Sequence, residues 1–142
     1  MEESIEHYFA LRGKKLSPVG QKMHRRLVKN GCDFYIKTIY IGYEIGGNMV
    51  AAIYAHSDHI EIALALDEDH SEPALKDASH LTWRTLPLSL EVRSLPDSDM
   101  AENLIDEACE RIEAGTHSVS RDNEHFARSH EVRRDQRGGD QS

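Results

Sequence analysis

The sequence predicts an α+β fold: a two-layer sandwich in which N-terminal and C-terminal helices cover an antiparallel four-stranded sheet, a three-strand meander plus a fourth strand. Apolar residues recur at helical spacing towards both ends of the chain and alternate with polar ones through its middle. Gly46-Gly47-Asn48 and His56-Ser57-Asp58-His59 separate three extended runs by connections too short for a crossover, so those runs pair antiparallel. The helices must then cover the apolar face of the sheet.

Ile5, Tyr8, Phe9 and Leu11 predict a short helix over Ser4 to Leu11 that ends near Gly13 and serves as a lid or brace. Ser17-Pro18 opens a better helix, with Ser17 as N-cap and Pro18 at a position that needs no N–H. Val19, Met23 and Leu27 form its inner stripe, and Gly31 closes it in the left-handed region. From Phe34 the period changes. Tyr35, Ile39, Ile41, Tyr43 and Ile45 share one parity and predict a strand of about ten residues, bulged near Lys37 or Thr38.

Gly46-Gly47-Asn48 is a hairpin turn, and Met49 to Ala55 is a nearly continuous apolar run that fits a central strand. Ile60, Ile62, Leu64 and Leu66 alternate with Glu61, Ala63 and Ala65, which predicts a half-buried strand. Asp67 to Pro87 is a long polar connection carrying His70, His80 and Trp83. Leu88, Leu90 and Val92 make the fourth strand, and Pro96 to Asp99 starts the last helix with Asp99 capping towards Glu102. Met100, Leu104, Ile105, Ala108 and Ile112 are its buried stripe, and Gly115 ends it.

A chain of 142 residues with 39% hydrophobic and 30% charged residues and a mean hydropathy of −0.60 has the profile of one globular domain with a polar appendage. We place the domain at 1–116 and expect a disordered polar tail at 117–142, which is too poor in apolar residues to offset its ordering entropy. No apolar run approaches the roughly 20 residues that span a bilayer. The acidic start, Met1-Glu2-Glu3-Ser4, does not resemble a secretory signal, so the expected location is cytoplasmic, without membrane contact.

Charge is segregated. Residues 1–37 carry a net +4, residues 38–116 a net −12, and the tail is balanced, within a total of −8. Lys22, Arg25, Arg26 and Lys29 share one face of their helix and are the candidate phosphate or nucleic-acid contacts; the acidic total disfavours that role without removing it. Asp99, Glu102, Asp106, Glu110 and Glu113 form a matching acidic stripe, a candidate for weak binding of hard cations of the iron type.

Catalytic signatures are absent: there is no GxSxG and no phosphate-cradling glycine loop, so the reading leans away from an enzyme. Cys32 and Cys109 form no CxxC and are expected as reduced thiols, with the helix C-terminus before Cys32 raising its pKa. His56 and His59, flanking Asp58, have metal-ligand spacing, but two imidazoles fall short of a zinc set, the missing ligands would have to come from the long connection, and a solvated turn is the expected state. The run Asp67-Glu68-Asp69-His70 with Glu72 lacks the glycine and periodicity of a calcium loop. No metal or cofactor is therefore expected.

The segments Ile5-Glu6-His7-Tyr8-Phe9, Ile39-Tyr40-Ile41-Gly42-Tyr43, Leu88-Ser89-Leu90-Glu91-Val92 and Leu104-Ile105-Asp106-Glu107-Ala108, together with Asp77 and Trp83, resemble an uncharacterised bacterial domain family. Its members occur as small proteins or at the C-terminal end of predicted transport proteins, similar in outline to YdhG-like, frataxin-reminiscent α+β domains. The resemblance covers roughly Ser4 to Gly115 and implies a compact binding module, with no catalytic residues to carry over. The expected function is a small cytosolic ligand-binding or interaction module, with a protein or small molecule as partner, as monomer or homodimer. Tyr40, Tyr54 and Trp83 are its candidate groove, if the long loop folds over the sheet.

Overall fold

The computed structural model describes residues 4–81 and 83–117, and the expected tail lies outside them apart from His117. Among the described residues three helices form: α1 (Ile5–Gly13), α2 (Ser17–Lys29) and α3 (Leu95–Ala114), with a 3-10 turn at Lys14–Leu16 joining the first two. Six strands follow the order β1 (Asp33–Ile36), β2 (Ile41–Ile45), β3 (Asn48–Ala55), β4 (Ile60–Leu64), β5 (Lys76–Asp77) and β6 (Leu88–Val92). They build one open antiparallel sheet, ordered β1-β2-β3-β4-β6-β5. The fold is thus α+β, with six strands where four were expected.

The two extra strands have separate causes. The single strand expected from Phe34 to Ile45 is folded back on itself, because the Lys37 N–H donates to the Tyr40 carbonyl at 2.8 Å and closes a hairpin where a bulge was expected. The bulge lies further on, between Tyr43 and Glu44. Within the long connection, Lys76 and Asp77 pair with Ser89 and Leu88 and become the edge of the sheet.

Helix starts also differ from expectation. The 3-10 turn runs directly into α2, so Leu16 occupies the cap and Ser17 is already helical, its Oγ accepting from Gln21 Nε2 at 2.8 Å. Helix α3 begins at Leu95, ahead of the expected cap at Asp99. Ser94 caps it by accepting from the Asp97 N–H at 3.3 Å, while Asp97 accepts from the Arg93 N–H at 3.0 Å.

Strand register divides the side chains between two faces. One carries the rows Tyr43–Ala51–Leu64–Leu88 and Ile41–Ile53–Ile62–Leu90, and α3 packs across β2, β3, β4 and β6. The other carries Gly42–Ala52–Ala63–Ser89 and Tyr54–Glu61–Glu91. The expectation of a half-buried β4 fails because its second face is covered as well: Ala63, Ser89, Tyr54 and Glu61 are all buried, and the connection after β4 brings His80 onto Glu61. That buried glutamate positions the site described next.

Candidate metal centre

Strands β3 and β4 are joined by His56-Ser57-Asp58-His59, closed by a 2.9 Å bond from the His56 N–H to the His59 carbonyl. This turn stacks the two imidazoles, with ring centroids 4.5 Å apart and planes inclined by 19°. Two residues further along, the pleat of β4 directs Glu61 to the sheet face away from α3. One donor atom from each of His56, His59 and Glu61 lies within 4.8 Å of the other two.

The glutamate is the unusual member. Its side chain is only 7% exposed, and a buried carboxylate is costly unless charge and hydrogen bonds compensate it. Oε2 receives the Ser89 hydroxyl at 2.8 Å and meets His80 Nε2 at 2.9 Å, while Oε1 lies 3.7 Å from His56 Nε2. Among the described residues, then, the charge partners of Glu61 are imidazoles. Glu91, directly opposite in the β4–β6 pair, is served differently: Lys76 Nζ and Arg93 Nη2 reach it at 3.0 and 2.9 Å, and the Lys76 bond leads the lowering of its pKa.

Orientation of the imidazoles is supplied from behind. Asp58 Oδ1 lies 2.7 Å from His59 Nδ1, and this bond holds the Asp58 carboxyl below its ordinary pKa. With Nδ1 donating to the carboxylate, Nε2 presents its lone pair, the second-sphere arrangement that fixes metal-bound histidines. A tetrahedral zinc with bonds of about 2.0–2.1 Å sets its donors roughly 3.4 Å apart, so the spread of up to 4.8 Å must contract. His56, 46% exposed, and His80, 56% exposed, have the freedom to do so. Two imidazoles and one carboxylate with positions left open suit zinc or iron(II).

The structure distributes the residues singled out in the sequence. Tyr40 and Tyr54 are brought together, both buried, with centroids 5.5 Å apart. Trp83 lines a shallow hollow with Asp77, Ser79, Arg84, Leu86 and Pro87. Lys22 is drawn to α3, reaching Ser98 Oγ at 2.7 Å, Asp99 at 2.9 Å and Glu102 at 3.3 Å. Arg26 makes a two-point contact with Asp106, its Nε at 2.9 Å from Oδ1, and Asn30 adds a bond of 2.9 Å to the same oxygen. Their pKa directions agree: Asp99 raises Lys22, Asp106 raises Arg26, and Arg26 lowers Asp106. Arg25 and Lys29 are exposed.

In the acidic connection, side chains shape the backbone. Asp67 accepts from the Asp69 N–H at 2.9 Å, Glu72 from the Ala74 N–H at 3.0 Å, and His70 meets Glu107 of α3 at 3.0 Å. Sequence reasoning noticed His56 and His59 and looked for their partners in the long connection, where His80 lies, but it missed Glu61. The legible signal was a glutamate two residues after a His-x-x-His turn, inside an otherwise apolar strand. Comparisons with protein-family models, curated proteins and solved structures give no match to this chain.

Proposed function

We propose that this domain is a binding module whose ligand is a divalent transition-metal ion, held by His56, His59 and Glu61 with His80 beside them. The supporting observation is a buried glutamate compensated by imidazoles, three of the donors already lying within 4.8 Å of one another. A dication would bind the carboxylate directly and more than offset its charge. This moves the expected divalent-cation role from the acidic helix to the β3–β4 turn. The acidic helix is less suited, since Asp99, Glu102 and Asp106 are engaged by α2. The same ion pairs weigh against nucleic-acid binding, as they occupy Lys22 and Arg26, half of the basic stripe. A compact binding module also agrees with the family resemblance seen in the sequence.

Calorimetry of the full chain with zinc chloride, and anaerobically with ferrous salt, tests the reading. Expected is one ion per chain with micromolar or tighter affinity, weakened at least about tenfold by His59→Ala or Glu61→Gln and less by Asp58→Asn. Equal affinity in the wild type and in Glu61→Gln would place the ion elsewhere and defeat the proposal.

A further inference from the structure

Helix α2 is capped by Asn30, Gly31 turns the chain with φ +97°, and Cys32 follows as a buried residue leading into β1. Its N–H is tied back to the Leu27 carbonyl at 3.1 Å, which holds the thiol beneath the end of the helix. Cys109 is on the buried stripe of α3. The two sulfurs are 3.8 Å apart although 77 residues separate them in the sequence. A disulfide requires about 2.05 Å, so they must close by roughly 1.8 Å. The turn that precedes Cys32 is not packed in: apart from its chain neighbours, no atom lies within 4 Å of where a Gly31 side chain would start.

We propose that Cys32 and Cys109 are a modification site: a dithiol oxidised by peroxide to an intramolecular disulfide that braces the end of α2 against α3, and restored by thiol reductants. The Cys32 sulfur attacks one peroxide oxygen, the O–O bond breaks, and water leaves Cys32 as a sulfenic acid. The Cys109 sulfur then attacks Cys32 Sγ, the S–O bond breaks, and hydroxide departs, taking the Cys109 proton as a second water. Two thiols and one hydrogen peroxide thus become one disulfide and two waters, with the thiols oxidised by two electrons and the peroxide reduced.

Attack starts at Cys32 because it is 6% exposed and Cys109 only 1%. Electrostatics favour the same order. Hydrogen bonding from Cys109 lowers the Cys32 pKa despite its burial, reversing the rise expected from the helix end, while the same contact and burial push Cys109 up. This site is independent of the metal centre and stands without it.

The test uses reduced full-length protein treated with a small excess of hydrogen peroxide, then unfolded, alkylated and weighed. Expected is a monomer lighter by ~2 Da that takes no alkylating agent and regains two reactive thiols with dithiothreitol. With two cysteines in the chain, a monomeric disulfide can join only this pair. The oxidised form should also melt at a higher temperature than the reduced form. Cys109→Ala should keep the sulfenic acid on Cys32 and show no such mass loss, and if it fails to fold the wild-type mass still decides. Two alkylatable thiols after treatment, disulfide-linked dimers alone, sulfinic acid on Cys32 beside a free Cys109, or a lower melting temperature on oxidation would each overturn the proposal.

Discussion

Gly20 shows how a single missing methyl shapes the interior. Glycine within a helix gives up about 1 kcal/mol of propensity relative to alanine, yet a Cβ here would stand 2.3–2.7 Å from three atoms of the buried Phe9 ring. Overpacking of that kind costs roughly 1–3 kcal/mol. The balance favours glycine: Gly20→Ala should lose stability, by on the order of 1 kcal/mol net, as read from the urea midpoint. An unchanged or higher midpoint would mean that Phe9 can move aside. Gly42 is also crowded, with Tyr35 Cζ 2.4 Å from a notional Cβ, but there the obstacle is the tip of a half-buried side chain that can swing. The candidate site was half legible at this scale. His56 and His59 advertise themselves by spacing, whereas Glu61 follows the same alternation as any solvent-facing strand residue, and its burial depends on a segment some twenty residues later.

At the scale of elements, periodicity located β3, β4 and β6 but merged β1 with β2, gave no sign of β5, and placed the start of α3 too late. Strand β6 occupies the predicted residues, and β4 starts where predicted, because apolar alternation marks an extended segment even where, as in β4, the second face is covered too. Caps are hard to place from sequence: Asp99 to Glu102 has capping-box spacing, but the cap that forms is Ser94, accepting from the Asp97 N–H. The hairpin between β1 and β2 was hidden for a related reason. Lys37 to Tyr40 contains no glycine or proline to mark the turn, and closure rests on a backbone bond. Cap position is directly measurable. Ser94→Ala should cost about 1 kcal/mol by urea denaturation, as loss of an N-cap does. Asp99→Asn should cost less than that, since it affects only a surface ion pair with Lys22. If Asp99→Asn were the more damaging change, the helix would begin later than Leu95.

For the whole molecule, the charge segregation seen along the chain resolves into an internal seam. Lys22 and Arg26 of α2 lie against Asp99, Glu102 and Asp106 of α3, so the opposite stripes neutralise each other where the two helices meet. The carboxylates of this seam give one pH window. Arg26 holds Asp106 below its ordinary pKa, so its contribution is present above about pH 3.8 and fades as pH falls through the lowered value. Two histidines open an earlier window. His24, on α2, faces the β1–β2 hairpin, 2.9 Å from the Tyr43 hydroxyl and edge-on to Phe34, and burial, aided by Arg25, lowers its pKa. His117 ties the end of α3 to the segment before β6 through the Thr85 carbonyl at 2.7 Å, and burial lowers its pKa as well. A histidine kept neutral in the fold but free to protonate when unfolded stabilises fully above about pH 6.5. As pH drops below that value the unfolded state gains the proton first, and stability declines until the folded histidine also protonates. Urea midpoints should therefore fall as pH drops below about 6.5, well before Asp106 titrates. His24→Gln, which can still bond to Tyr43, should flatten that decline while leaving the later acid loss in place. Parallel declines in the variant and the wild type would show that His24 is not its source.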